Sequence, residues 1–535
     1  MNIEKLTEEG GKQMLYFLNS IASVNQFTKT TKEKYFVDKS GLITKMNELI
    51  GTASQYVCVT RPRRFGKTLN AMMLASYYSK SANCKDIFDN LQISKDESYL
   101  KHLNKHNVIY IKFNVAPKEK SSYSEFIERY RLLLIKDLLE YCPNIEVLPE
   151  MALSDVFDQV YNKTGKGFIF IIDEWDYIFN HNLFSKDDRK SFLEFLENLL
   201  KDKSYVDLAY MTGVLPIAKY STSSTINMFK EYNTLNDKKY YKYFGFSIKE
   251  TKALCNKQDE VTFDELKTWY DGYKTFEGED IFNPRSVAYA LSDGVCQSYW
   301  TNTGPMDEII YYINNDVGAV KDDIVSMVSG IPLEIKLKGY SAEQKELNTR
   351  NQILSAMTIY GFLSYHDKIL EIPNKELCIK FDEALEDKSM GEVAKLVLKS
   401  NEMLKATLRK DTETMVKILE EAHDINIPVI KYNDENSLSC VVMLSYLSAR
   451  DDYKIIREMP SGKGFADFIF YPNDKSKPAF ILELKKNSTP EEALKQIKEK
   501  NYALALRDYT GKKFAVGISW DKKTKEHKIR IEDIV

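Results

Sequence analysis

The 535-residue sequence lacks three features that would each place it in a broad class of proteins. It has no run of about 18 apolar residues, the length that crosses a bilayer, and its first residues do not form a signal peptide. Its seven cysteines include no C-x-x-C pair and stand at positions 58, 84, 142, 255, 296, 378 and 440. We therefore expect a cytoplasmic protein with no membrane partner, no disulfide framework and no zinc site.

The net charge is also small, and histidines are few. The formal net charge is −3, so no overall field steers the chain to nucleic acid. The six histidines are isolated in the sequence, and we interpret each as a core or surface residue and not as a metal ligand. The length predicts roughly two to four domains.

One stretch has the order strand, loop, helix. The apolar run Tyr56–Thr60 precedes a polar loop at residues 61–68, and a helical pattern then places apolar residues on one face, namely Leu69, Met72, Met73 and Tyr77. Phosphate-binding loops occur in this context. The usual motif is G-x-x-x-x-G-K-[ST], and Arg61 stands at the position of its first glycine. A chance helix start after a loop is therefore the alternative.

The residue types in this loop suit a nucleotide. The backbone N–H groups of Arg64, Phe65 and Gly66, just before a helix, can cradle phosphate oxygens. The ammonium of Lys67 would reach the β- and γ-phosphates, and the hydroxyl of Thr68 would hold Mg²⁺. We predict a site for ATP and Mg²⁺ at these five residues.

A second motif follows about a hundred residues later. It lies at the C-terminal end of a predicted strand, which is where ligands of open α/β sheets bind. Residues 168–172 are apolar, as in a buried parallel strand, and Asp173 and Glu174 come directly after them. We predict that Asp173 holds Mg²⁺ through water and that Glu174 activates the attacking water. A strand end with solvated acids is the alternative, but the pairing of the two motifs favours an ATPase.

Two further strands frame these motifs. Residues 108–115 form a strand pattern, and their position between the motifs predicts an extra strand between the two motif strands in the sheet. Residues 206–211 form another and end in Thr212 and Gly213. We predict that Thr212 faces the γ-phosphate and senses its loss, with a plain Thr-Gly turn as the alternative.

Other segments have open interpretations. Tyr35–Ser40 can contact adenine, or Ser40 can simply cap the next helix. Arg285, behind the helix-starting Pro284, can sense the nucleotide and Arg189 can act as a finger, with surface salt bridges as the alternative for both. Helices and then a small hairpin around residues 366–368 resemble a winged helix, which either binds DNA or packs against its own ATPase.

The C-terminal region has a second group of chemically useful residues. Asp467 and Glu483 lie on two predicted strands that form a hairpin, and Lys485 shares a face with Glu483 because strand period is two. Two carboxylates and a strand carbonyl suit Mg²⁺, and Lys485 can position or deprotonate a water. Glu435 on a preceding helix is a further candidate metal ligand, and Gln496 on a following helix is a further catalytic candidate.

The spacing D-x(15)-E-x-K on a hairpin is the pattern of PD-(D/E)XK nucleases. Solvated edge residues are the alternative, and a vestigial site is a second one. The helices that carry Glu435 and Gln496 favour the nuclease-like fold.

Taken together, the motifs resemble proteins that join an AAA-ATPase-like domain to a PD-(D/E)XK nuclease superfamily domain. The matching stretches span almost the full length and are residues 35–40, 61–68, 171–176, 212–217, 270–273, 283–284, 372–376, 466–467 and 483–485. The resemblance implies a bacterial protein that binds ATP and has a nuclease fold. It also implies that Arg61 is a normal residue of this loop.

We therefore predict an α/β protein with an N-terminal P-loop AAA-type ATPase, in which helices cover a parallel sheet, a helical or winged-helix-like middle and a C-terminal restriction-endonuclease-like α/β domain. The expected boundaries are 1–235 for the ATPase core, 236–305 for its lid, 306–385 for the middle module, 386–432 for a helical connector and 433–535 for the nuclease-like domain.

The predicted function is that of an ATPase joined to a Mg²⁺-dependent phosphodiesterase, in which the nucleotide state gates DNA engagement or cleavage. ATP and Mg²⁺ are the expected cofactors, and nucleic acid, with DNA favoured, is the expected partner. A homo-oligomer is left open. The alternative is a nucleotide-switched interaction protein whose nuclease-like fold binds a partner and cuts nothing.

Overall fold

A computed structural model of the chain describes residues 15–114, 122–180, 183–217, 226–299, 311, 313, 320–337, 347–385, 392–424, 435–461, 464–524 and 526–534. They fall into two compact units. The first contains the described residues up to Tyr299 and Ser355–Phe362, and the second contains the remaining described residues. The predicted α/β class is confirmed. Within the described residues we find no helix with both the length and the apolar character needed to cross a bilayer.

The main sheet of the first unit is entirely parallel. Its strands are β1 (Tyr56–Thr60), β2 (Asn107–Lys112), β3 (Phe168–Asp173), β4 (Val206–Gly213) and β5 (Lys230–Tyr232). They lie in the order β2-β3-β4-β1-β5. All six residues of β3 are buried, as its apolar run predicted.

The strand between the two motif strands is β4, so the prediction that placed residues 108–115 there is wrong. That stretch forms β2, at the edge of the strand order. Polarity explains the difference, because Tyr110 and Lys112 of β2 remain partly exposed while β4 is buried at all but one residue. The N-terminal segment covers part of the free edge, since the amide of Tyr110 donates to the carbonyl of Phe17 at 3.1 Å.

Helices connect these strands and continue beyond them. In chain order they are α1 (Ile21–Thr31), α2 (Gly41–Asn47), α3 (Lys67–Tyr78), α4 (Lys85–Phe88), α5 (Tyr99–His102), α6 (Tyr123–Tyr141), α7 (Leu153–Thr164), α8 (Lys186–Leu200), α9 (Ile248–Cys255), α10 (Phe263–Tyr270) and α11 (Pro284–Asp293). Helix α11 begins at Pro284, as predicted, because the Asn283 side chain accepts from the first free amides of the helix.

Alternate residues of the central strands determine which groups face α3. Val57, Val59, Ile169 and Ile171 pack into one buried cluster with residues of α1, α2 and α3. Since strand period is two, the next residue on that face of β3 is Asp173. The helix after the phosphate-loop candidate and the first acid of the second motif therefore share one side of the sheet.

A small antiparallel sheet follows the main one within the first unit. Its strands are β6 (Phe246–Ser247), β7 (Tyr273–Lys274) and β8 (Asp280–Phe282), in the order β6-β8-β7. Buried side chains of this sheet and of α9, α10 and α11 form a separate core, which includes Phe246, Leu266, Phe282 and Val287.

The middle of the chain combines helices with a short hairpin in the predicted order. The helices are α12 (Lys321–Val328), α13 (Arg350–Tyr360) and α14 (Lys375–Leu385), and the strands are β9 (Leu333–Glu334), β10 (Ser364–His366) and β11 (Ile369–Glu371). The two-residue turn, Asp367 and Lys368, has φ of 46° and 66°, as a type I′ turn requires. The winged-helix-like identity and the finer domain boundaries stay predictions.

The C-terminal sheet is mixed. Its strands are β12 (Tyr453–Ser461), β13 (Gly464–Pro472), β14 (Ala479–Lys486), β15 (Lys513–Trp520) and β16 (His527–Asp533), in that spatial order. Only the pair β14–β15 is parallel. The remaining helices are α15 (Glu392–Leu398), α16 (Ser400–Arg409), α17 (Thr412–Asp424), α18 (Glu435–Ser445), α19 (Ala449–Asp452) and α20 (Pro490–Glu499).

Two of the six histidines, which lie four residues apart in the sequence, contact each other in the structure. The Nδ1 atom of His102 lies 3.0 Å from Nε2 of His106, and the rings stack at 5.2 Å. Between them Asn104 adopts φ 54°, a backbone reversal that the sequence pattern did not indicate.

Helix α20 lies close to β15 at Gly517. A Cβ atom added to Gly517 would stand 2.4 Å from the carbonyl oxygen of Pro490 and 3.2 Å from the Cβ of Ala493. Glycine is therefore the residue that lets this helix approach the strand.

We expect Gly517→Ala to push α20 away from β15, at a cost of about 1–3 kcal/mol, because overpacking displaces backbone. Amide exchange should become faster in residues 490–499. Gly330→Ala is the control, since Gly330 has φ 79° and open space around its Cβ position. It should strain the backbone locally and leave exchange in α20 unchanged. Unchanged exchange in Gly517→Ala would contradict the close approach.

Candidate functional sites

The loop between β1 and α3 has the backbone that anion binding requires. Arg64 and Gly66 adopt φ of 72° and 86°, and α3 begins at Lys67 directly after them. Left-handed residues before a helix turn successive N–H groups toward one point, and the helix terminus adds partial positive charge. Strand, loop and helix stand in the predicted order.

Lys67 is buried beneath this loop. Its Nζ donates to the carbonyl oxygen of Pro62 at 2.7 Å. Burial lowers the pKa of Lys67 to about 8, and the acids Asp176 and Asp173 act in the opposite direction. Phosphate oxygens at the loop would supply the ammonium with the anionic partners that favour its charged form.

Asp173 has the features of a carboxylate that is suited to bind a cation. Burial raises its pKa to about 6, while the hydroxyl of Thr68 and the ammonium of Lys112 lower it. Its Oδ1 accepts from the amide of Glu174 at 3.1 Å, and its Oδ2 is buried without a hydrogen bond from any described residue. Thr68 and Asp173 thus come together from α3 and β3, and this donor set fits Mg²⁺.

Glu174 follows with a strained backbone. Its φ of 53° is uncommon for a residue with a side chain, and such strain concentrates at functional sites. Its Oε1 lies 3.4 Å from Nζ of Lys112, and its side chain is 38% exposed. Water therefore reaches this carboxylate, in contrast to that of Asp173, which is fully buried.

Thr212 lies beside Asp173 in the sheet. The two residues are register partners between β3 and β4, and the Thr212 hydroxyl donates to the carbonyl of Val59 at 2.7 Å. The side chain is fully buried. This hydrogen bond links β4 to the strand that enters the phosphate loop, and the role of Thr212 as a γ-phosphate sensor stays a prediction.

Asp176 is a structural residue that sequence reasoning did not single out. Its Oδ2 accepts from the amides of Val214 and Leu215 at 3.0 and 2.8 Å, so it ties the segment after β3 to the end of β4. A Cβ on Gly213 would stand 2.4 Å from Asp176 Oδ1. The sequence signals were its place in the matching stretch 171–176 and the acids Asp173 and Glu174 shortly before it.

Arg61 occupies the position of the missing glycine and is buried. Its guanidinium pairs with Asp237, donates to the carbonyls of Thr60 and Tyr232 at 2.7 and 3.1 Å, and lies 4.9 Å from the ring centroid of Phe244. Arg61 therefore anchors the start of the loop to the chain after β5.

A cavity of about 520 Å³ adjoins the loop and involves both Tyr35–Val37 and Arg285. Gly66 and Asn70 contribute to its wall. Ser40 stands at the N-cap of α2, but its hydroxyl accepts from the amide of Ile93 at 3.0 Å and does not cap the helix.

The C-terminal candidates come together on the hairpin of β13 and β14. The register places Asp467 opposite Glu483, since Phe468 pairs with Leu482. Oδ2 of Asp467 accepts from the amide of Leu484 at 2.7 Å, and the amide of Asp467 is 3.4 Å from Oε2 of Glu483. The two acidic side chains thus share one face of the hairpin.

Lys485 and Gln496 complete this group. Nζ of Lys485 lies 3.3 Å from Oε1 of Glu483, and the Gln496 amide donates to the same oxygen from α20. Gln496 also donates to the hydroxyl of Tyr502 at 3.1 Å. The close approach of α20 at Gly517 is what lets Gln496 reach Glu483.

Two of the three predicted acidic ligands are therefore together. Burial raises the pKa of Glu483 to about 7, the nearby charge of Asp467 adds to the rise, and Lys485 opposes it. A cation between the acids would relieve this repulsion, so the pair fits Mg²⁺. The side chain of Glu435 lies outside the described residues. Among those described, no cluster of three or more His, Cys, Asp or Glu side chains forms a candidate metal site.

We expect metal binding at this pair to tighten as pH rises. A proton competes with the metal on Glu483 below a pKa of about 7, so the apparent dissociation constant of Mn²⁺ should increase about tenfold from pH 8 to pH 6. Calorimetry on a chain carrying Asp173→Asn isolates this site from the loop site. Glu483→Gln in that background should bind weakly at both values. A pH-independent affinity with Glu483 present would contradict the raised pKa.

Comparison with known proteins assigns two parts of the chain. Residues 22–223 match the family described as predicted AAA-ATPase, and residues 433–529 match the PD-(D/E)XK nuclease superfamily. No curated protein sequence matches the chain.

The solved structures that are similar to the chain include two that we describe here. The Walker-type ATPase paby2304 of Pyrococcus abyssi is 12% identical, with a TM-score of 0.31, over 64% of this chain and 94% of its own. The Aeropyrum pernix ORC2 protein, solved as ADPNP-ADP complexes, is 10% identical, with a TM-score of 0.30, over 69% of this chain and 95% of its own. The predicted resemblance is confirmed by the two family matches, and the chain combines a predicted AAA-ATPase domain with a PD-(D/E)XK nuclease superfamily domain.

Proposed function

We propose that the chain binds and hydrolyses ATP at the loop site and that its nucleotide state gates DNA engagement or phosphodiester cleavage at the C-terminal pair. The two family matches support ATPase and nuclease-like roles. The gating step is our extension, and its support is that both sites belong to one chain.

One observation supports the ATP site most strongly. The fully buried Asp173 presents Oδ2 without a hydrogen bond from a described residue, on the same face of the sheet as α3 and its Thr68. Mg²⁺ bound there with ATP would neutralise charge on the phosphates. Lys67 would bind phosphate oxygens, and the exposed carboxylate of Glu174 would orient and deprotonate the attacking water.

The adjoining cavity supports a purine nucleotide. It opens beside Gly66, where the phosphates would lie, and its wall includes Phe36, Leu69 and the ring of Tyr35. Apolar surface with a few polar groups is typical of nucleobase pockets. Arg285 also lines the cavity, with its guanidinium 5.1 Å from the ring centroid of Tyr289, and we assign it to the sensing of the nucleotide.

The hairpin acids support the second activity. Asp467 and Glu483 would hold Mg²⁺, which supplies a hydroxide nucleophile and stabilises negative charge on the phosphate. Lys485 would position that water, and Gln496 would keep Glu483 in place. Residues 461–535 contain 16 Lys and Arg against 11 Asp and Glu, which modestly favours contact with the phosphates of a nucleic acid. A cytoplasmic location and a homo-oligomer stay predictions.

The second candidate function is a nucleotide-switched interaction protein. One contact favours it, because Lys485 lies 3.3 Å from Glu483 and already pairs with the acid that a metal would need. The net charge of −3 favours it too, since a nuclease usually gains affinity from a basic surface.

We expect Lys67→Ala to weaken ATP binding by about 10- to 100-fold, because it removes a charged hydrogen bond to the phosphates. Calorimetry with ATP and Mg²⁺ measures this. Glu174→Gln should bind ATP like the unaltered chain and hydrolyse it at least about 100-fold more slowly. Lys85→Ala, which removes a surface pair with Asp89, is the matched control and should change neither. Equal ATP affinity for Lys67→Ala and the unaltered chain would refute the site.

We expect Asp467→Ala and Lys485→Ala each to reduce cleavage of plasmid DNA in Mg²⁺ or Mn²⁺ by about 100-fold or more, because metal and water are no longer held for attack. Lys486→Ala is the control, since strand period turns Lys486 to the opposite face from Lys485. Cleavage should also depend on ATP and change in Glu174→Gln, as gating requires.

Several outcomes separate the two candidate functions. Equal cutting by Asp467→Ala, Lys485→Ala and the unaltered chain would assign the activity elsewhere. ATP-independent cutting would remove the gating step and keep the nuclease. If no DNA or RNA is cut with metal and ATP while ATP still binds, the interaction protein becomes the better account.

A further inference from the structure

An exposed aromatic ring lies on the same strand face as the acid pair of the C-terminal hairpin. Phe465 stands two residues before Asp467 on β13, and its side chain is 61% exposed. The pairing of β13 with β12 keeps one register on both sides of Asp467, so no bulge turns the ring to the other face. Since strand period is two, the ring and the carboxylate point to one side of the sheet.

Burial on this face decreases along the strand toward Phe465. Ile469 is buried in a cluster with Leu494 and Ile497 of α20. Two residues earlier Asp467 is partly exposed, and two residues before that Phe465 is largely exposed. Helix α20 therefore covers the face as far as the acids, and the ring lies beyond that cover.

The pairing of β13 with β14 ends next to the acids. The last pair of this ladder stands one residue short of them, and the amide of Leu484 donates to Oδ2 of Asp467 at 2.7 Å. Continued by two residues, the register places Phe465 across from Lys485, whose side chain is 23% exposed. Two acids, an ammonium and an aromatic ring are thus grouped at the unpaired end of the hairpin.

A nucleotide fits this combination of groups. A metal at Asp467 and Glu483 would bind the phosphate, and Phe465 stands about 7 Å along the strand from the first acid, which is the scale of one extended nucleotide. An aromatic ring stacks on any base, because stacking needs no matched hydrogen bonds. Single exposed apolar side chains are ordinary on protein surfaces, and Phe465 differs by its place beside the acids.

The exposed ring also distinguishes between kinds of nucleic acid. The bases of a duplex are paired and stacked on one another, so a duplex has to open before a side chain can stack on one of its bases, and opening costs free energy. A single strand presents its bases without the cost of unpairing, and aromatic side chains are the usual platforms for them. Phe465 therefore favours an unpaired strand.

We propose that the C-terminal site takes single-stranded nucleic acid and that Phe465 stacks on the base next to the phosphate held by the acid pair. This inference rests on the function proposed for the hairpin acids and names their substrate class. The ring has no hydrogen-bonding group, so this contact selects no particular base. A plasmid would be cut where its strands open.

The test compares the affinity of the chain for a fluorescent oligonucleotide as a single strand and as a blunt duplex. Anisotropy is measured with Ca²⁺ in place of Mg²⁺, so that the strand is bound and not cut. The unaltered chain should bind the single strand more tightly. Phe465→Ala should weaken single-strand binding about 5- to 100-fold and change duplex binding by less than about twofold. Phe465→Trp should keep the single-strand affinity, and Phe465→Leu, which is apolar without an aromatic face, should lose it.

A photochemical crosslink locates the base. A strand with 5-iodouracil at successive positions should crosslink to Phe465 at one of them, which mass spectrometry of the peptides detects. A ring that only supported the fold would give no crosslink. The matched control is Phe276→Ala, which removes another exposed phenylalanine, 42% exposed, from the first unit. It should change neither the affinity nor the crosslink.

DNA and RNA strands of one sequence are tested in parallel, and a loss of affinity in Phe465→Ala for either supports the proposal. Unchanged affinity for both, an equal loss for the duplex, or crosslinks that avoid Phe465 would overturn the inference, while cleavage that depends on Asp467 would still support the nuclease. If the unaltered chain bound neither single strands nor duplex, the nucleic-acid function proposed for the hairpin would fail, and the inference with it.

Discussion

Asp173 carries an ionisable carboxyl group into the interior at the end of β3, a strand whose six residues are all buried. The low-dielectric surroundings disfavour its charge, and the hydroxyl of Thr68 and the ammonium of Lys112 offset that cost only in part. The nearby charges follow from this constraint. Lys67 is buried on the same side, where each charge makes the other less costly. A bound metal would offset the charge of Asp173, and the phosphates of a nucleotide would offset the charge of Lys67.

The C-terminal hairpin also buries a carboxylate, but the lysine that accompanies it is placed differently. Glu483 is buried on β14 and has a raised pKa. The lysine beside it is Lys485, two residues further along the same strand. Lys112 reaches Glu174 from a neighbouring strand instead. Lys485 is thus carried by the same strand as its acid, whereas Lys112 is carried by the strand at the edge of the main sheet.

Local chemistry was predictable from the sequence, and long-range placement was not. The apolar run before Asp173 indicated the buried strand, and strand period brought Lys485 to the face of Glu483. The position of β4 was not predictable, because it depends on which strand lies at the edge of the sheet. That strand is β2, in which Tyr110 and Lys112 are partly exposed. A motif search reads residues along one segment, so it could not connect Lys112 with an acid on another strand.

Arg61 shows why a departure from a motif can preserve the structure that the motif describes. A glycine at the start of the loop offers backbone freedom, but Arg61 offers a buried guanidinium that binds Asp237 and two carbonyls. These partners lie up to 176 residues away in sequence, so only the folded chain reveals them. Left-handed φ values are kept further along, at Arg64 and Gly66. Arg64 and Gly66 therefore give the loop its curvature, and Arg61 anchors its first residue to the rest of the domain. The two roles can be filled by different residues.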